Sequence, residues 1–176
     1  MKQLSLAFAL PFFVAACTAP AAPRAPSVPD TLSVPAHNHL MFELHATGVQ
    51  IYTCQPKPNE PTKYEWALKA PDARLADARG DAGHHYGPPP TWESADGSKV
   101  VGKKEQAVDA PGADDISWLL LSATSNAGQG RFGKVTFIQR TATHGGKAPS
   151  GGCDAQHAGQ EARVPYTATY CFYVAD

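Results

Sequence analysis

Leu40, Phe42 and Leu44 alternate with Met41, Glu43 and His45, and the same two-residue period returns at Val49, Ile51 and Thr53 and at Tyr64, Trp66 and Leu68. A period of two places successive side chains on opposite faces of an extended strand, so a chain that carries it repeatedly is committed to sheet. The Gly-bearing link Ala46-Thr47-Gly48 predicts that the first two runs form a hairpin. Thr91-Trp92-Glu93 and Lys99-Val100-Val101 flank Asp96-Gly97, a strong turn signal, and predict a second hairpin. Ile116 to Ala123 is nearly continuous apolar sequence, the pattern of a strand covered on both faces. Residues 132–140 and 166–174 are rich in β-branched and aromatic side chains. In the last run Tyr166, Ala168, Tyr170, Phe172 and Val174 share one face.

These runs predict an all-β fold: a single antiparallel β-sandwich or a partly closed barrel of about seven or eight short strands. Long loops are expected around 70–90, 102–115 and 141–164, with a short helix over 71–79, where Pro71 suits a first turn. Composition agrees. Fifteen Gly and 16 Pro in 176 residues disfavour long helices, while 43% hydrophobic residues is too many for a disordered chain. The length fits one domain. The net charge of −1 supplies no field that would recruit nucleic acid.

The start of the chain reads as an address. Lys2 precedes an apolar run from Leu4 to Ala16 that is too short to span a bilayer, which takes about 20 residues, so residues 1–16 read as a secretory signal. Val14-Ala15-Ala16-Cys17 resembles the lipobox of bacterial lipoproteins, which implies lipidation of Cys17 and partnership with a membrane through that anchor. An ordinary signal peptide with a chance Cys is the alternative. Thr18, in place of Asp, points to the outer membrane, with the domain facing the periplasm. Residues 17–33 then form a tether: Pro20, Pro23, Pro26 and Pro29 recur every third residue, which favours polyproline II, with no apolar side chain large enough to seed a core. Residues 34–176 are the single domain.

With Cys17 lipidated, Cys54, Cys153 and Cys171 remain in an oxidising compartment, enough for one disulfide. No C-x-x-C occurs, which argues against a thioredoxin-like site. Cys54–Cys153 is favoured because Gly151-Gly152-Cys153 is a loop that needs tying down. Cys153–Cys171 is the rival.

The densest polar and aromatic cluster runs from Gly83 to Glu93. His84, His85, Tyr86, Trp92 and Glu93 are its candidate binding residues. Trp92, beside a proline-stiffened loop, is read either as an exposed indole able to stack on a sugar or other planar ligand or as one packed in the interior, whereas Trp66 and Trp118 are expected in the core. His84 and His85 are weak candidates for zinc or copper, because adjacent strand residues diverge and such sites want three or four ligands. No cofactor is otherwise implied. No G-x-S-x-G elbow or G-x-G-x-x-G fingerprint is present, and no catalytic residue is singled out. The reading is therefore a non-enzymatic envelope module that binds a small molecule, a glycan or a partner. The alternative is a metal- or acid/base-dependent enzyme using His84, His85 and Glu93.

GVQIYTC (48–54), EWALKAPDARL (65–75), GHHYGPPPTWESADGSKVVG (83–102), ISWLLLSAT (116–124), FGKVTFIQRTATHGGKAPSGGCD (132–154) and VPYTATYCFY (164–173) together resemble the domain-of-unknown-function family DUF3455. The resemblance covers essentially all of residues 34–176 and implies no established activity. It does imply that Cys54 and Cys153 are the paired thiols and that Cys171 is the odd one.

Overall fold

The computed structural model describes residues 24–176. The signal segment, Cys17 and the first part of the tether lie outside the described residues. A single 3-10 turn, Asp30–Leu32, precedes eight strands: β1 Asn38–Lys57, β2 Glu60–Asp77, β3 Gly80–Tyr86, β4 Thr91–Ser94, β5 Lys99–Val108, β6 Trp118–Ala127, β7 Val135–Gly145 and β8 Glu161–Ala175. Each strand pairs antiparallel with the next, and β1 pairs with β8, so the sheet closes on itself as a barrel. Closure gives every strand a neighbour on each side, though residues 60–71 of β2 run on beyond the last pair with β3. Of the two all-β architectures weighed, the structure adopts the barrel.

The expected hairpin at residues 40–53 is instead one strand of 20 residues. Gly48 is extended there. It lies opposite Ala73 of β2 and Tyr166 of β8, and a Cβ on it would fall 2.2 Å from the Asp72 carbonyl oxygen and 2.4 Å from Ala73 Cα. Its role is close approach of backbone, not a turn. The helix expected over 71–79 is likewise part of β2. Pro71, Ala73 and Leu75 face inward and Asp72 and Arg74 outward, a period of two. Pro71 sits just past the last β2–β3 pair, Asp72↔Tyr86, where its missing N–H costs one ladder at most.

One parity of β1, namely Leu44, Ala46, Gln50, Tyr52 and Cys54, is buried. Glu43, His45 and Thr47 face out and are exposed. Apolar inside and polar outside is the pattern of a barrel bathed in water. At one end the β6–β7 connection inserts Phe132, which packs on Phe42 and Phe172 with ring centroids 5.7 and 4.9 Å away. Asp96 and Ser98 hold that connection: the Asp96 carboxylate accepts from Arg131 N at 2.9 Å, and Ser98 Oγ accepts from Phe132 N at 3.1 Å. Leu44, Leu75, Val100 and Ile138 fill the layers above.

The outer wall has its own buried patch. Leu120, Gln139 and Cys171 lie side by side across β6, β7 and β8, facing away from the core, and all three are buried. The 3-10 turn crosses this patch. Gln139 Nε2 donates to the Leu32 carbonyl at 2.6 Å and Gln139 Oε1 accepts from Tyr173 OH at 2.5 Å. Leu32, assigned to a tether without core-forming side chains, is fully buried. The packed unit therefore begins a few residues earlier than the composition suggests.

Candidate binding cavity

The end of the barrel opposite Phe132 holds a cavity of about 400 Å³ to which all eight strands contribute. Gln50 comes from β1, Pro71 from β2, His85 from β3, Trp92 from β4, Lys104 from β5, Leu119 and Leu121 from β6, Arg140 from β7 and Tyr170 from β8. The β3–β4 turn, Gly87 to Pro90, forms part of the rim and contains a cis peptide between Pro88 and Pro89. The volume is that of an ordinary small-molecule site, and the lining combines apolar walls with a few polar groups.

Its floor is aromatic. His85 and Trp92 are cross-strand partners on the inner face, and their rings stack with centroids 4.3 Å apart and planes 8° from parallel. Tyr170 meets both edge-on, at 5.0 and 5.3 Å. His85 Nδ1 lies 2.9 Å from the Thr91 carbonyl oxygen. A carbonyl only accepts, so Nδ1 carries the proton. Burial pushes the His85 pKa down to about 3, with Arg140 and His84 adding to that direction against the pull of the Thr91 bond. The ring is neutral at physiological pH, and Nε2 holds a lone pair.

Gln50 Nε2 and Trp92 Nε1 are buried behind the lining without a hydrogen bond, and the buried Tyr166 and Tyr170 hydroxyls have no partner but each other. Burial raises the Tyr166 pKa, and Tyr170 raises it further. Arg140 gives Nε and Nη2 to the Ser117 carbonyl oxygen, at 3.1 and 2.8 Å. Among the described residues no carboxylate pairs with it. A buried donor without an acceptor costs about 1–3 kcal/mol, so the two nitrogens stand beside the cavity at a cost to the fold.

The five residues singled out by sequence are brought to one hairpin but divided between its faces. His85 and Trp92 line the cavity, while His84, Tyr86 and Glu93 lie outside. Of the two readings of Trp92 the structure takes the interior one, at 1% exposed, whereas Trp66 and Trp118, expected in the core, are only half-buried. As metal ligands His84 and His85 fail for the same reason, since rings on opposite faces of β3 cannot meet at one ion. Among the described residues no cluster of three or more His, Cys, Asp or Glu stands close enough to hold a metal. Nor do His84, His85 and Glu93 assemble as an acid–base set.

The outer group forms two tied networks. Asp72 accepts from His84 Nε2 at 2.9 Å and from Arg163 at 2.6 Å, and its pKa is lowered by those contacts. Glu93 accepts from Tyr86 OH at 2.7 Å and pairs with Lys99 at 3.0 Å; Tyr86, then Lys99, hold its carboxyl below the usual range. These groups satisfy one another on the surface.

Gln50, Lys104, Arg140 and Tyr170 belong to the cavity and were not singled out from the sequence. The signal for Gln50 was the parity of β1 itself: once Leu44, Ala46 and Gly48 run on without a turn, Gln50 falls on the buried face. Cys54 and Cys153 are joined by a disulfide, as favoured, and Cys171 is a buried free thiol whose pKa burial pushes up to about 12.

The fold and this lining define a class: a closed, eight-stranded antiparallel barrel with an aromatic-floored cavity at one end. The chain belongs to the family described as Protein of unknown function (DUF3455), whose model matches residues 35–174. Comparison with curated proteins and with solved structures finds no match.

Proposed function

We propose that the protein is an exported, membrane-anchored binding protein that takes a small molecule into the open end of its barrel. The observation that carries the reading is an apolar-walled cavity of about 400 Å³ to which all eight strands contribute, with the Arg140 guanidinium in its lining. A cavity of that size and character suits a small molecule with an apolar body. A neutral His85, held by the Thr91 carbonyl and stacked on Trp92, serves this as a fixed wall, and its low pKa makes it a poor proton acceptor near pH 7. The disulfide suits an oxidising compartment. Lipidation of Cys17 and a short tether would hold the barrel near the outer membrane, on its periplasmic side.

Ligand-observed NMR with a fragment library tests the cavity reading. Hits should bind the wild type and be lost in Ala107→Trp, which fills the mouth without removing a hydrogen bond. Hits that bind the filled variant equally well would overturn the reading.

A further inference from the structure

The cavity has a sign. Its lining carries Lys69, Lys104 and Arg140 and not one Asp or Glu. Lys69 is paired with Glu161 at the rim. Among the described residues Lys104 and Arg140 have no carboxylate partner, and Arg140 spends Nε and Nη2 on a neutral carbonyl, which leaves Nη1 for something else. A cationic ligand would meet repulsion here. An anion meets Lys104 of β5 and Arg140 of β7, and a guanidinium is the side chain best suited to a carboxylate. Pro71, Pro88, Pro90, Leu119 and Leu121 supply apolar walls for the rest of such a molecule.

We infer that the ligand is a small organic carboxylate with an apolar body, its head group held by Arg140 and Lys104. This rests on the reading of the cavity as a binding site. Charge-assisted hydrogen bonds are roughly twice as strong as neutral ones, which sets the size of the expected effect.

Calorimetry on the wild-type protein at neutral pH with matched pairs of aryl carboxylates and their primary amides tests it: benzoate with benzamide, cinnamate with cinnamamide, and indole-3-acetate with indole-3-acetamide. Each carboxylate should bind about tenfold more tightly than its amide. In Arg140→Met the preference should vanish while amide binding stays. Should that variant fail to fold, Arg140→Lys, which keeps the charge, should retain a preference for carboxylate. Amides that bind as tightly as carboxylates, and are lost in Ala107→Trp, would overturn the carboxylate inference and leave the cavity reading standing. Binding by neither series, or binding of both unchanged in Ala107→Trp, would overturn the two together.

Discussion

Gly102 of β5 stands directly against the indole of Trp92: a Cβ at that position would lie 2.8 Å from Trp92 Cζ3 and 3.4 Å from Leu121 Cδ2. The indole cannot yield, because His85 stacks on its other side and Tyr170 and Phe172 meet its edges. Gly102→Ala should therefore destabilise the fold by about 1–3 kcal/mol, the range for overpacking a well-filled core. Urea denaturation of the two proteins measures it.

His85 gives the barrel a pH dependence of defined sign. Its pKa is about 3 in the folded protein against 6.5 for an ordinary histidine. Between those values the unfolded chain binds the extra proton, so stability rises with pH through this window. The contribution is complete above about pH 6.5 and is lost as pH falls toward 3, at up to about 1.4 kcal/mol per pH unit. Trp92, Tyr170 and the Arg140 charge surround the ring and oppose its protonation. His85→Phe should flatten the stability profile between about pH 5 and 6.5. Lower down, both proteins should weaken together as Asp77 and Asp96, each with a pKa of about 2, take up protons.

The Cys54–Cys153 bridge spans 99 residues and fastens the loop that follows β7. Backbone bonds from Gly159 N to the Cys54 carbonyl and from Cys54 N to the Gln160 carbonyl, both 2.9 Å, anchor the loop beside it, and Trp66 Nε1 donates to the Gly151 carbonyl at 2.8 Å. The double variant Cys54→Ala/Cys153→Ala should lose about 2–5 kcal/mol. Thermal melts with and without reductant should coincide for that variant and differ for the wild type.

Leu32 predicts where the folding unit begins. Removing a fully buried leucine side chain costs about 2–5 kcal/mol, so Leu32→Ala should lower the unfolding free energy, measured by urea denaturation, by that amount. A chain begun at residue 34 should lose still more, since Gln139 and Tyr173 are then uncovered. Equal stability of the full and shortened chains would show the turn to be passive.

The strands were legible because alternation is a local signal: the runs at 64–68 and 166–174 lie within strands, and of the run at 132–140 only Phe132, Gly133 and Lys134 fall outside one, in the turn before β7. The continuity of β1 through Gly48 was not legible, because a glycine demanded by close packing of two neighbours reads like a glycine demanded by a turn. Residues 71–79 satisfied a helical reading because alanine and arginine tolerate both states; only pairing with β1 and β3 decides. The hairpin at 83–93 gives His85 and Trp92 to the cavity, but its two faces were merged in the sequence, since proximity along the chain hides the alternation that sends His84 and Glu93 out and His85 and Trp92 in. Arg140 and Gln50 gave no motif. They become a site only when barrel closure brings β1 and β7 to one lumen.

Entry of ligand into the barrel, as opposed to binding on the His84 face, can be read by ¹⁵N-resolved NMR during titration with cinnamate. The indole Nε1–H of Trp92 and the Nε–H of Arg140 should shift saturably, while the Trp66 indole and the backbone amides of His84 and Glu93 stay in place. Saturable shifts confined to His84, Tyr86 and Glu93, with Trp92 and Arg140 unmoved, would contradict it.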